Sequence, residues 1–133
     1  MRTLSRIAAI SGLYDLVIGA GLLLAPVTIA GWFGVAPPVP LLFVTVAGWL
    51  LVVVGVGYWQ PYRQPDRHRA YLWVMGPLLK GGGAILFVVD HFARQSPAAF
   101  LLFAVTDGAL ALVTLWALLR AGAAESTEES RRR

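Results

Sequence analysis

Four apolar stretches, each long enough to cross a bilayer, constrain this 133-residue chain more than any other feature. A hydrocarbon core of about 30 Å requires roughly 20 largely apolar helical residues. The stretches cover residues 4–25, 41–59, 70–89 and 98–119. Prolines in the intervening segments stop helix propagation, because proline lacks the backbone N–H. The pattern predicts an all-α integral membrane protein, an up-down bundle of four transmembrane helices within residues 1–122.

Composition excludes the other broad classes. Hydrophobic residues make up 58% of the chain and charged residues 14%, against about 45–50% and 25% in soluble domains. A chain of this size has no interior large enough to bury so much apolar surface in water. With no cysteine, it has no disulfide and no thiolate site. Residues 123–133 are small, polar and charged, and we expect them to form a disordered tail.

When the four stretches cross the membrane in alternating directions, most of the arginines fall on one side of it. Arg2 and Arg6 flank the start of the first stretch, Arg63, Arg67 and Arg69 fill the second loop, and Arg120 and Arg131–Arg133 follow the last. The first loop has no basic residue and the third has only Arg94. The positive-inside rule therefore places both termini and the second loop in the cytoplasm, as in a bacterial inner-membrane protein. On the same side Tyr58, Trp59, Tyr62, Tyr71, Trp73 and Trp116 form an aromatic belt.

The basic residues and the N-terminal stretch allow two other interpretations, nucleic-acid binding and a cleaved signal peptide. Arginines beside span ends contact anionic lipid, so the net charge of +4 does not indicate nucleic-acid binding. A cleaved signal peptide is the alternative for the first stretch, with cleavage near Ala30. Asp15 interrupts that stretch and favours an uncleaved span. Trp32 and Phe33, in the first loop, are expected to rest on the outer interface.

Three ionisable residues lie inside the predicted spans: Asp15, Lys80 and Asp107. At 1.5 Å per residue each is about 14–16 Å from one end of its span, near the membrane midplane. An ionised side chain that faces lipid there costs at least about 2.5–3.5 kcal/mol. We therefore expect the three side chains to face one another or water.

Small residues near these charges favour close helix packing. Gly12 and Gly19 share a face with Asp15, and Ala104 and Ala111 share one with Asp107. Two carboxylates against one ammonium leave an excess negative charge, so we expect one carboxyl to stay protonated. The predicted polar core is either a proton-exchanging or ligand-binding site, or a salt bridge that fixes helix pairing. Both hypotheses stay open at this point.

Asp90 and His91, at the outer end of the third span, are secondary candidates for a proton relay or a metal site. His68 lies on the opposite side, so the two histidines cannot share an ion, and no metal or other cofactor is expected. Neither histidine has a serine and acid arranged for nucleophilic catalysis. Gly81–Gly83 follow a helix rather than a strand, so with Pro77 they indicate a kink or a tight helix crossing.

The chain is small, has four predicted spans and carries polar residues within these otherwise apolar spans. Its first span ends with the run from Gly19 to Pro26, and Trp32-Phe33-Gly34 follow in the first loop. In these features the chain resembles the small bacterial four-helix membrane proteins grouped as DoxX-like. The resemblance implies the four-helix fold and, for some members, similarity to subunits of quinone-linked oxidoreductases. It transfers no catalytic residue. Four-helix sterol-isomerase-like domains are more distantly similar, and Lys80 departs from their pattern.

The resulting functional expectation is an accessory or hydrophobic-ligand-binding protein of the lipid bilayer. Its partners would be a hydrophobic small molecule, further copies of the chain or a larger membrane complex. One alternative is a membrane-embedded oxidoreductase or isomerase that acts on a lipid-like substrate such as a quinone or sterol. The other is a proton-coupled transporter or an oligomeric channel.

Overall fold

The computed structural model describes residues 2–132, so Met1 and Arg133 lie outside it. Every regular element in the described part is helical. The elements are α1 (Arg2–Leu24), α2 (Pro26–Trp32), α3 (Leu42–Gly57), α4 (Trp59–Arg63), α5 (Arg69–Trp73), a π-helical segment (Val74–Gly81), α6 (Gly82–Arg94), a 3-10 turn (Ala98–Phe100) and α7 (Leu101–Arg132).

Four spans within residues 2–132 are long and apolar enough to cross a membrane. The first is α1, the second is Leu42–Arg63, the third is Arg69–Arg94 and the fourth is Ala98–Ala124. They overlap the four stretches predicted from hydropathy, which confirms the four-helix membrane-type architecture at the level of length and composition.

The spans alternate in direction. Leu4, Tyr58, Leu72 and Leu118, one from each span, meet in a buried cluster at one end of the bundle. We call this the arginine end, because Arg2, Arg6, Arg63 and Arg67 surround a depression beside it. At the other end, which we call the α2 end, Leu22, Val44, Phe87 and Phe103 line one cavity. The bundle is therefore up-down, with α1 packed on α3, and α7 packed on α1, α6 and the π-helical segment.

Glycines set the distance between α1 and α3. A Cβ on Gly19 would lie 2.7 Å from the Gly48 carbonyl oxygen, and a Cβ on Gly55 would lie 2.9 Å from that of Gly12. Both distances are shorter than a side chain tolerates, so only glycine permits these backbones to touch. The two contacts are seven residues apart on each helix and keep the pair in register.

The third span widens around Pro77. Proline cannot donate the usual helical hydrogen bond, and its ring clashes with the carbonyl four residues earlier. The backbone over Val74–Gly81 is π-helical, which relieves this conflict with a wider turn. The kink or tight crossing expected at Pro77 and the glycines is thus a π-helical segment, and it contains Lys80.

The first loop and the last helix differ in detail from the expectations. Residues Pro26–Trp32 form the short helix α2, in which Trp32 is 77% exposed, whereas Phe33 turns inward and stacks on two phenylalanines. Helix α7 continues to Arg132, through the segment expected to be a disordered tail. That segment contains alanine and glutamate, which favour helix.

Candidate functional site

Lys80 lies between Asp15 and Asp107 in the interior of the bundle. Its ammonium Nζ donates a hydrogen bond to the Asp15 carboxylate and lies 3.4 Å from Asp107 Oδ1. Lys80 and Asp15 are 4% and 1% exposed, and the side chain of Asp107 is 17% exposed. The structure therefore brings together the three ionisable residues that the sequence places near the midplane, and we call them the charged triad.

The charged triad requires close packing of three spans. Asp15 projects from α1 on the face that also carries Gly12 and Gly19. Lys80 is in the π-helical segment, which packs on α7, the helix that carries Asp107. Gly76, one turn before Lys80, sits so close to Thr114 that a Cβ would lie 2.6 Å from the Thr114 methyl carbon. This contact holds the third and fourth spans together beside the ion pairs.

Tyr14 covers the charged triad on one side. The ring centroid of Tyr14 is 4.7 Å from Lys80 Nζ, a cation–π distance. Its hydroxyl is 2.8 Å from Thr106 Oγ1, which itself donates to the Leu102 carbonyl at 2.9 Å. Because the threonine proton is already used, the Tyr14 hydroxyl is the donor in this pair. The sequence does not distinguish a packing role from a chemical role for Tyr14, since neither contact is visible from spacing along one helix.

A cavity of about 390 Å³ extends from the charged triad toward the α2 end. Apolar side chains from all four spans and from α2 form most of its wall. Its polar side chains are those of the charged triad and Tyr14. The volume falls within the range of small-molecule sites, which are typically apolar with a few fixed polar groups.

Four phenylalanines form an aromatic part of the cavity wall. Phe33 stacks on Phe100 and Phe103 with centroid distances of 5.3 and 5.1 Å, and Phe87 stacks on Phe103 at 5.5 Å. All four line the cavity. We call them the phenylalanine wall. Sequence reasoning did not find it, because a phenylalanine in an apolar span has the same pattern whether it faces lipid or the interior.

One polar atom at the deep end of the cavity has no partner. Asp15 Oδ1 accepts from Lys80, whereas Asp15 Oδ2 is buried and has no hydrogen bond within the described part of the chain. Buried polar atoms are nearly always satisfied by protein, water or ligand. Asp15 also lines the cavity, so this unpaired carboxylate oxygen lies beside the space that a bound molecule would occupy.

Asp90 and His91 form a separate local arrangement at the end of α6. Asp90 pairs with Arg94 at 2.9 Å and accepts a hydrogen bond from the Ser96 hydroxyl. His91 Nδ1 lies 2.7 Å from the Ser96 carbonyl oxygen, so Nδ1 carries the proton and donates. These contacts close the turn after α6. Among the side chains that the structure describes, no three of His, Cys, Asp or Glu are grouped as a metal site would require.

The chain has no match among protein-family models, curated proteins or solved structures. Its own geometry is therefore the basis for any functional argument. That geometry defines an all-helical protein with four membrane-length spans, a charged triad at mid-bundle and a partly aromatic cavity above it.

Proposed function

We propose that this protein is a multi-pass protein of a bacterial inner membrane that binds a hydrophobic small molecule in the cavity between the charged triad and the phenylalanine wall. The observation that carries the proposal is the cavity itself, with apolar walls and buried ion pairs at one end. Acting alone or as an accessory subunit of a larger complex, the protein would hold this molecule within the bilayer.

The cavity favours an amphipathic ligand. Its apolar wall suits a hydrocarbon or ring system, and Phe33, Phe87 and Phe103 offer flat faces for stacking. At the deep end, Lys80 can donate to a carbonyl or anionic oxygen, and Asp15 can exchange a hydrogen bond with a hydroxyl. A molecule with a compact polar head and an apolar body matches both parts.

Native mass spectrometry of the protein, purified from its membrane in a mild detergent and then extracted with organic solvent, tests this proposal. We expect a stoichiometric hydrophobic compound. Phe103→Ala should release it, whereas Phe92→Ala, at a phenylalanine that is 72% exposed, should not. A protein that carries only bulk lipid, or a compound retained equally by both variants, contradicts the proposal.

The same site supports a second candidate function, proton transfer to or from the bound molecule by a membrane-embedded enzyme. The observation in its favour is the position of Asp107, which lines the cavity, is partly exposed and lies beside Lys80. A lipid-like substrate with a quinone or sterol type of head would meet this carboxyl. Asp107→Asn should abolish turnover of the extracted compound but leave it bound, whereas Asp90→Asn should retain turnover. Full turnover in Asp107→Asn rejects the enzyme hypothesis.

The proposed orientation places both termini and the second loop in the cytoplasm. It is supported by the distribution of arginines. Because the natural chain has no cysteine, single cysteines can be introduced at Gln64 in the second loop and Gln95 in the third. A membrane-impermeant maleimide added to intact spheroplasts should label the Gln95→Cys variant alone. Labelling of Gln64→Cys instead would reverse the topology.

A further inference from the structure

Four arginines from two parts of the chain surround one depression at the arginine end. Arg2 and Arg6 are four residues apart at the start of α1, and Arg63 and Arg67 lie at the end of α4 and in the second loop. Together with Ser5, Gln64, Pro65 and Asp66 they line a volume of about 620 Å³. We call this the arginine basin. It is separate from the cavity of the charged triad, with which it shares no lining residue.

The described side chains that line the arginine basin carry four positive charges and one negative charge, that of Asp66. Among the side chains that the structure describes, none of its four arginines forms an ion pair with a carboxylate. Asp66, which also lines the basin, pairs with Arg69 at 2.9 Å. Four guanidinium groups around one depression create a positive potential there. The arginine basin therefore attracts an anionic group.

Aromatic side chains place the basin at the depth of lipid headgroups. Trp59 and Tyr62 both lie in α4, which ends at Arg63, and both are exposed. The Arg63 guanidinium carbon lies 5.6 Å from the Trp59 ring centroid. Tryptophan and tyrosine concentrate where hydrocarbon meets headgroups. The phosphate groups of membrane lipids lie at this depth.

We propose that the arginine basin binds the phosphate groups of an anionic phospholipid. A guanidinium presents paired N–H donors that fit two phosphate oxygens at once, which a single ammonium cannot do. Arg2 and Arg6 offer one such set of donors, and Arg63 and Arg67 offer a second across the depression. A headgroup with two phosphodiesters engages both sets, so it binds more tightly than a headgroup with one.

Lipid titration into the full chain in mild detergent, followed by native mass spectrometry, tests the proposal. The probes are a two-phosphate phospholipid, a phosphatidylglycerol and a zwitterionic phosphatidylcholine. We expect affinity to fall in that order. Each arginine near a membrane surface contributes a factor of about five. The double variant Arg2→Gln/Arg6→Gln should therefore bind the two-phosphate lipid about 25-fold more weakly.

Arg120→Gln is the matched control. Arg120 lies at the same end of the bundle, but its guanidinium carbon is 4.5 Å from the Trp116 ring centroid and it does not line the basin. This variant should retain the wild-type affinity. Circular dichroism establishes that each variant is folded. Equal losses in Arg120→Gln and in the double variant would show a diffuse charge effect and overturn the proposal.

Free pyrophosphate separates the lipid from a soluble anion as the source of the phosphate. We expect pyrophosphate to compete only weakly, because it lacks acyl chains to contact the surrounding spans. Binding of pyrophosphate as tight as that of the two-phosphate lipid would overturn the lipid assignment. The test does not depend on the cavity ligand, since Phe103→Ala should leave binding at the arginine basin unchanged.

Discussion

The two ends of the bundle are made from the same four spans, but their interiors differ. At the arginine end, Leu4, Tyr58, Leu72 and Leu118 pack together in a buried cluster between the spans. At the α2 end, the side chains leave a cavity of about 390 Å³, even though the walls are equally apolar. Hydrophobic composition alone thus does not determine whether the interior of an apolar helical bundle is filled.

What separates the two ends is the charged triad. Asp15 and Lys80 pair at one end of the cavity, and Asp107 adds a carboxylate from the fourth span. We call the layer formed by these three side chains the polar layer. Above this layer Phe33 comes from the first loop rather than from a span, so it covers the cavity without filling it. Substitutions at the filled arginine end, in the polar layer and at the open α2 end should therefore change stability by different amounts.

The largest loss of stability is expected from a substitution in the polar layer. Lys80→Met leaves Asp15 and Asp107 without their counter-charge in a low-dielectric interior. Removing one partner of a buried ion pair costs about 3–5 kcal/mol, and we expect the free energy of unfolding to fall by this amount. Reversible unfolding in mixed detergent micelles, followed by circular dichroism, measures it.

The double variant Lys80→Met/Asp15→Asn serves as the control for this prediction. It removes both members of the most buried pair, so a large part of the lost stability should return. If Lys80→Met is as stable as the natural chain, or if the second substitution adds to the loss, the ion pairs do not stabilise the fold.

A smaller effect is expected from opening the filled end. Leu72 is fully buried, and Leu72→Ala should lower the free energy of unfolding by about 2 kcal/mol, at the lower end of the range for core truncations. Van der Waals packing, rather than transfer from water, is the main contribution between helices in a membrane. Phe103→Ala removes more atoms but borders an existing cavity, so it should cost less than half as much. Equal losses in the two variants would remove the distinction between the ends.

The contact between α1 and α3 should be sensitive to a single added methyl group. Gly19→Ala places its Cβ 2.7 Å from the Gly48 carbonyl oxygen, and overpacking of this kind should cost about 1–2 kcal/mol. Gly82 has open space at the corresponding position, so Gly82→Ala should be neutral or slightly stabilising. The same unfolding assay compares the two variants. Similar losses of stability in both would mean that the close contact between α1 and α3 does not limit the side chain at Gly19.

The sequence predicts the spans and the depth of the three charged residues, because both depend on position along one helix. A helix rises 1.5 Å per residue, so counting places Asp15, Lys80 and Asp107 near the same level. The cost of charge in lipid then requires that they meet. The π-helical backbone around Pro77 was expected only as an irregularity, since sequence does not distinguish a kink from a wider turn.

Features that join different spans were not predictable in the same way. The phenylalanine wall depends on the rotation of α6 and α7 about their axes and on Phe33, which the first-loop pattern placed at the outer interface. The arginine basin depends on how near the second loop lies to the start of α1. The positive-inside rule puts Arg2 and Arg63 on one side but does not fix the distance between them.

The smallest expected effect concerns Tyr14, which connects the polar layer to the open end. Tyr14→Phe keeps the ring over Lys80 and removes only the hydroxyl that donates to Thr106. Hydrogen bonds between spans contribute about 0.6 kcal/mol on average, so the unfolding free energy should fall by about this amount. Thr106→Val removes the acceptor of the same bond, and the double variant should cost little more than either single change. Additive losses would show that Tyr14 and Thr106 act independently, in which case the hydroxyl of Tyr14 serves the cavity rather than the contact between the first and fourth spans.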